Sequence, residues 1–176
     1  MSTDPEFSYI VTLADAAHGM AAAFEADADA RARIAKRLDL IELNLLAVNA
    51  EVRAVAGGIA ARGDVRAELV QRCAATDLPV PASLNESFDL RFLRDIDAVA
   101  VEEEEVEISG ADCDILPLEG ERIDLGEAAV QTLSLGLDPF PRHSDADRIL
   151  AEKGVLSEEA AGPFAALAKL RGKPAS

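Results

Sequence analysis

Two cysteines, Cys73 and Cys113, and two histidines, His18 and His143, are the side chains of this sequence best suited to soft nucleophilic attack, proton transfer near neutral pH or metal ligation. Nucleophilic catalysis would need one of those thiols, or a serine, beside a histidine and an orienting carboxylate. Neither histidine lies in a local motif of that kind, and a small buried thiol is the commoner role for Cys73 on an apolar strand face. No catalytic residue is assigned. For a metal, Cys73 is followed by Ala74, Ala75 and Thr76, so a threonine stands where a C-x-x-C pair has its second thiolate. His143 lies in a proline-rich turn over residues 138–145. Cys73 and His143 are two ligands where structural zinc takes four, and Cys113 or Asp145 would join them only if the fold carried them there. No metal and no other cofactor is expected. Gly57-Gly58 leads into extended residues rather than a helix N-terminus and lacks the lysine and hydroxyl of a phosphate loop, so it reads as a hairpin turn.

Charge supplies the remaining chemistry. The 176 residues hold 33 acidic and 17 basic side chains, a net charge of −16, with 49% apolar residues and no tryptophan. That apolar fraction excludes a wholly disordered chain, and two distant cysteines exclude a disulfide framework. With no signal-like segment and no apolar run long enough to span a bilayer, a cytoplasmic, non-membrane protein is expected. The imbalance is local. Residues 95–128 hold 13 acidic and 1 basic side chain, against 14 and 10 in residues 1–94 and 6 and 6 in residues 129–176. Glu102, Glu103, Glu104 and Glu105 are consecutive, which does not suit a calcium loop with oxygens at alternate positions. They form either a solvated charge run or a docking handle for a basic partner. Arg31, Arg33, Lys36 and Arg37, with Arg53, Arg62, Arg66 and Arg72, give a modest positive face for RNA, and the cationic C-terminal tail is a second such surface. With one tyrosine, Tyr9, that face has few rings on which to stack bases.

The elements that must position these residues are legible from periodicity. Phe7, Tyr9 and Val11 alternate as a short strand. Residues 27–38, rich in alanine and with cations toward the C-terminal end, predict a helix. Residues 40–48 predict a strand, with an extension of that helix as the alternative. An antiparallel meander follows, with turns at Gly57-Gly58 and Gly63-Asp64, in which Val65, Ala67, Leu69, Gln71 and Cys73 share a face. Pro79 and Pro81 suit an edge or irregular entry to the strand in which Leu84, Glu86, Phe88, Leu90 and Phe92 alternate with polar neighbours. Residues 95–121 predict an acidic flexible loop or insertion. Asp124 caps a helix, Glu127 completes a capping-box-like pair, and Leu125, Ala129, Leu133 and Leu137 form its apolar stripe. Pro139 and Pro141 end it, and a helical tail over residues 144–176 includes a short helix stopped by Gly154. The expected architecture is a single α+β domain over residues 1–176, a mainly antiparallel sheet with helices packed on one face.

The succession Val70-Gln71-Arg72-Cys73, Phe88-Asp89-Leu90-Arg91-Phe92, Ile123-Asp124-Leu125-Gly126-Glu127 and Leu137-Asp138-Pro139-Phe140-Pro141-Arg142-His143 resembles the YceD-type family, the large-subunit ribosomal RNA accumulation proteins, and the closing Gly162-Pro163-Phe164-Ala165-Ala166-Leu167-Ala168-Lys169-Leu170 resembles the tail of its alphaproteobacterial branch. The resemblance implies a non-enzymatic role in accumulation or processing of large-subunit (23S) ribosomal RNA and in ribosome assembly. A basic ribosomal protein or a pre-ribosomal particle is the implied partner. Many members carry a C-x-x-C at the position of Cys73 and a further cysteine after the Pro-x-Pro turn; this sequence has Thr76 and no cysteine after Pro141. The candidate partner-binding residues are Glu102, Glu103, Glu104, Glu105, Asp124, Asp138, Arg142 and Cys73. Two other classes remain open: a metal-dependent or Cys/His-based RNA-processing protein using Cys73 and His143, and an acidic holdase or inhibitor of a basic protein.

Overall fold

The structure, a computed structural model, describes residues 5–94 and 113–155. The Glu102–Glu105 run and the predicted C-terminal helix beyond residue 155 lie outside the described residues. The chain divides into two compact units, Met1–Gln71 with Pro81–Asp138, and Arg72–Val80 with Pro139–Ser176.

The described elements, in chain order, are β1 (Ile10–Thr12), α1 (Leu13–Ala16), β2 (Met20–Glu25), α2 (Ala28–Arg37), β3 (Glu42–Val55), β4 (Gly58–Arg72), β5 (Pro79–Leu93), β6 (Asp114–Pro117), β7 (Arg122–Asp124), α3 (Leu125–Gly136) and α4 (Ala146–Glu152). A five-stranded sheet runs in the order β2-β3-β4-β5-β6, and β1 and β7 form a separate two-stranded ribbon. The β2–β3 and β3–β4 pairs are antiparallel and β5–β6 is parallel, so the α+β, mostly antiparallel architecture read from the sequence is the one observed.

Local chemistry explains most boundaries. The Asp27 side chain accepts the Ala30 amide at 2.8 Å and starts α2, whose Ile34 is fully buried against the core. Residues 42–55 form a strand because Leu43, Leu46, Val48, Ala50 and Val52 bury one side of an extended chain, with a bulge between Leu43 and Leu45 keeping the pattern in phase. On β4 the face predicted to be shared is buried from Val65 through Cys73.

Two expected turns differ in the structure. The β3–β4 hairpin turns at Ala56-Gly57, with Gly57 at φ 77°, and Gly58 already pairs with Val55. Gly63-Asp64 is no turn at all: β4 runs straight through it, with Gly63 paired to Ala50. A Cβ at Gly63 would sit 2.1 Å from the Asn49 carbonyl oxygen and 2.9 Å from the Phe88 ring, so this glycine serves a close approach between strands.

Helix α3 carries the predicted stripe: Leu125, Ala129 and Leu133 are fully buried and Leu137 packs on the same core. Glycine serves a second close approach at its start, where a Cβ on Gly126 would lie 2.5 Å from the Phe7 carbonyl oxygen. Strand β6, at the end of the acidic stretch, pairs Asp114 with Leu90 and Pro117 with Leu93.

Candidate functional site

In the second unit the chain leaves β4 and closes a tight turn around Cys73. The Cys73 amide donates to the Leu78 carbonyl at 2.8 Å and the Asp77 amide to the Cys73 carbonyl at 3.0 Å, with Asp77 in the left-handed region at φ 61°. Asp tolerates that conformation better than most side chains. The segment after Pro139 is bonded onto this turn: Ala74 N–H donates to the Pro141 carbonyl at 2.8 Å, and His143 N–H donates to Cys73 Sγ at 3.3 Å. The His143 Nδ1 accepts the Asp145 amide at 3.1 Å, which places the proton of the neutral ring on Nε2, and the His143 carbonyl accepts the Ala146 amide that opens α4. Arg142 is ion-paired with Asp147, and Arg148 with Asp145 and Glu152.

These donors lower the Cys73 thiol to about 7, chiefly through the His143 amide, with the Thr76 hydroxyl next and burial opposing. The Thr76 contribution is a loose contact, because its buried Oγ1 makes no hydrogen bond of ordinary geometry. Arg142 is raised above its ordinary value, mainly by Asp147 and in small part by the Cys73 thiolate. The thiol therefore titrates near neutral pH, yet Cys73 is only 1% exposed, so a substrate reaches it only if the turn opens.

The residues around Cys73 do not make up the four-ligand set of a structural zinc. Thr76 occupies the second thiol's place, the His143 Nδ1 is taken by an amide, and among the described residues no three His, Cys, Asp or Glu side chains gather as a ligand set.

In the first unit a second polar centre forms at the start of α3. Asp124 Oδ1 accepts the amides of Tyr9 at 2.9 Å, Gly126 at 2.9 Å and Glu127 at 3.3 Å, and Oδ2 accepts the Ser8 hydroxyl at 2.7 Å. One carboxylate thus caps α3 and ties it to the N-terminal segment, where Tyr9 stacks on Phe24 at 4.2 Å. The predicted capping box is not completed. Glu127 instead forms a two-point bridge to Arg37 of α2, at 2.8 and 2.7 Å, which holds the Glu127 carboxyl below its ordinary value and Arg37 above its own.

The structure brings Cys73 and Arg142 into one turn with His143, whereas Asp124 belongs to the other unit. Asp138 is exposed just past α3, and its carbonyl accepts the buried Gln71 side chain at 2.8 Å. The cations of α2 are largely engaged within the fold: Arg31 on the Ala26 carbonyl, Arg33 on the Glu6 carbonyl, Arg37 on Glu127. The sequence pairs Cys73 with His143 as candidate ligands, but the bond between them, from the His143 main-chain amide, and the Arg37–Glu127 bridge carry no local signal, their partners being 70 and 90 residues apart.

A family model described as "Large ribosomal RNA subunit accumulation protein YceD" matches residues 61–171. The chain belongs to the YceD family. The matched stretch opens within β4 and takes in the Cys73 turn, β5, the Asp124 cap and α4, while α2 and β1–β3 lie before it. The YceD resemblance read from the sequence motifs is thereby confirmed. No curated protein and no solved structure matches the chain. Among the described residues, no helix is long and apolar enough to cross a membrane.

Proposed function

We propose that this protein is a non-enzymatic, cytoplasmic factor in the accumulation of large-subunit ribosomal RNA, acting by binding a ribosomal component during assembly. The YceD family match over residues 61–171 carries this reading. A basic ribosomal protein suits it better than bare RNA, because the chain carries a net charge of −16 and its α2 cations are mostly spent on internal partners. The enclosure of Cys73 supports a structural rather than a chemical role for the thiol.

Affinity capture of the tagged full chain from a bacterial lysate, read by mass spectrometry and RNA sequencing, tests it. Enrichment of large-subunit ribosomal proteins or precursor RNA is the expected outcome. Recovery of neither, while the protein is folded and abundant, overturns the reading. The neutral-range thiol beside His143 is the one observation favouring an RNA-processing activity, and a Cys73→Ser variant that abolishes function without lowering stability would decide for it.

A further inference from the structure

Helix α3 and the edge of the sheet leave a groove of about 540 Å³ between them. Its floor is apolar: Phe88 and Leu90 of β5 and Ala128 of α3 are at most 7% exposed. Leu135 stands at its lip, 85% exposed and off the buried stripe of α3. The charged side chains lining the groove are all acidic, and no lysine or arginine is among them. Glu86 and Asp114 lie on the α3 side of the sheet with Phe88 and Leu90, and neither has an ion-pair or hydrogen-bond partner among the described residues. Strand β6 pairs with β5 only at Leu90–Leu93, so among the described residues no strand covers that edge of β5 over residues 82–89. Uncovered backbone N–H and C=O groups are a template for an added strand.

We propose that this groove binds an extended, lysine- or arginine-rich peptide segment that adds a strand to β5 beside residues 82–89. Main-chain hydrogen bonds beside residues 82–89 supply the register; on the α3 face a cation beside Glu86 is followed two residues on by an apolar side chain against Phe88 and Leu135, and a second cation four residues on reaches Asp114, which lies across from Leu90. An RNA strand is repelled by the same rim. The inference rests on the reading of the protein as a binder of a basic ribosomal component and names the surface it uses.

The test is fluorescence anisotropy of the full chain with a fluorescein-labelled peptide of Lys-Ser-Val-Ser repeats, which sets lysine and valine by turns on one face of a strand, alongside hydrogen exchange of the complex. Expected are saturable binding, slowed exchange at residues 82–89, and roughly tenfold weaker binding in the Glu86→Lys/Asp114→Lys variant, with a milder Leu135→Ser variant also weaker. A matching peptide of glutamate and valine should not bind. Three results overturn the inference. Peptide binding that leaves residues 82–89 unprotected and is lost when Glu102–Glu105 are changed to glutamine is the first, and it leaves the basic-partner reading standing. No peptide binding at all, with ribosomal protein still recovered from lysate, also leaves that reading intact. A dimer broken by Leu135→Ser, with no peptide bound, assigns the groove to a second copy.

Discussion

Replacing Asp124 separates two things its carboxylate does at once, accept hydrogen bonds and carry charge. Three main-chain amides converge on Oδ1, those of Tyr9, Gly126 and Glu127, while Ser8 alone uses Oδ2. Asp124→Ala removes every acceptor. Loss of a helix N-cap costs about 1 kcal/mol. The Tyr9 amide, part-buried and left unsatisfied, adds on the order of 1–2 kcal/mol. The exposed Ser8 hydroxyl turns to water and adds little. The expected loss is therefore about 2–3 kcal/mol, a fall of roughly 1–2 M in the urea midpoint for a protein of this size. Asp124→Asn keeps a carbonyl oxygen at the Oδ1 position and an amide that can meet Ser8. It gives up only the favourable placement of an anion at a helix N-terminus, about 0.5–1 kcal/mol. Urea titrations of the three proteins at neutral pH, followed by circular dichroism, read both values. An alanine variant within about 0.5 kcal/mol of the parent, or an asparagine variant as unstable as alanine, refutes the account of Asp124 as a convergent acceptor.

Two further outcomes follow from the ionisable groups. The Cys73 thiol, held near 7 in the folded state, contributes stability that is fully present above the ordinary thiol value of about 8.5 and is lost as pH falls through 7. The stability gap between the parent and Cys73→Ala should accordingly widen from pH 6 to pH 9, and a gap that stays constant would contradict the thiolate assignment. Arg37→Ala should cost about 1 kcal/mol, since the two-point Arg37–Glu127 bridge is only partly exposed. That deficit should shrink as pH falls through the lowered Glu127 value, because protonation of the carboxyl removes the partner; thermal melts of both proteins in a series of buffers from neutral into acid pH would show it.

Much of the fold was legible because local chemistry and tertiary placement agree. Asp124 is a helix cap in both, the helix expected over residues 27–38 is found at Ala28–Arg37, and the alternation from Leu84 to Phe92 is a strand in both. Disagreement arose where a residue answers to a distant partner. Gly63 has the local signature of a turn but is glycine because the Asn49 carbonyl and the Phe88 ring crowd it from neighbouring strands. Glu127 sits at the capping-box position, yet a charged hydrogen-bonded pair with Arg37 outcompetes a bond to its own helix start. At the candidate site, Cys73 and the turn after Pro139 were each visible in sequence, but the amide that joins them belongs to His143, far along the chain. The groove of β5 and α3 left only faint traces: Glu86 interrupting an apolar face, and Leu135 standing off the helical stripe.

The central claim is that the protein supports the large ribosomal subunit by binding rather than by chemistry. Its most direct measurement is the ratio of mature large-subunit to small-subunit ribosomal RNA in cells lacking the gene, complemented with either the parent or the Cys73→Ala variant. A depressed ratio restored by both proteins is the predicted result. An unchanged ratio on deletion, or restoration by the parent alone when the variant is equally stable and abundant, would contradict it.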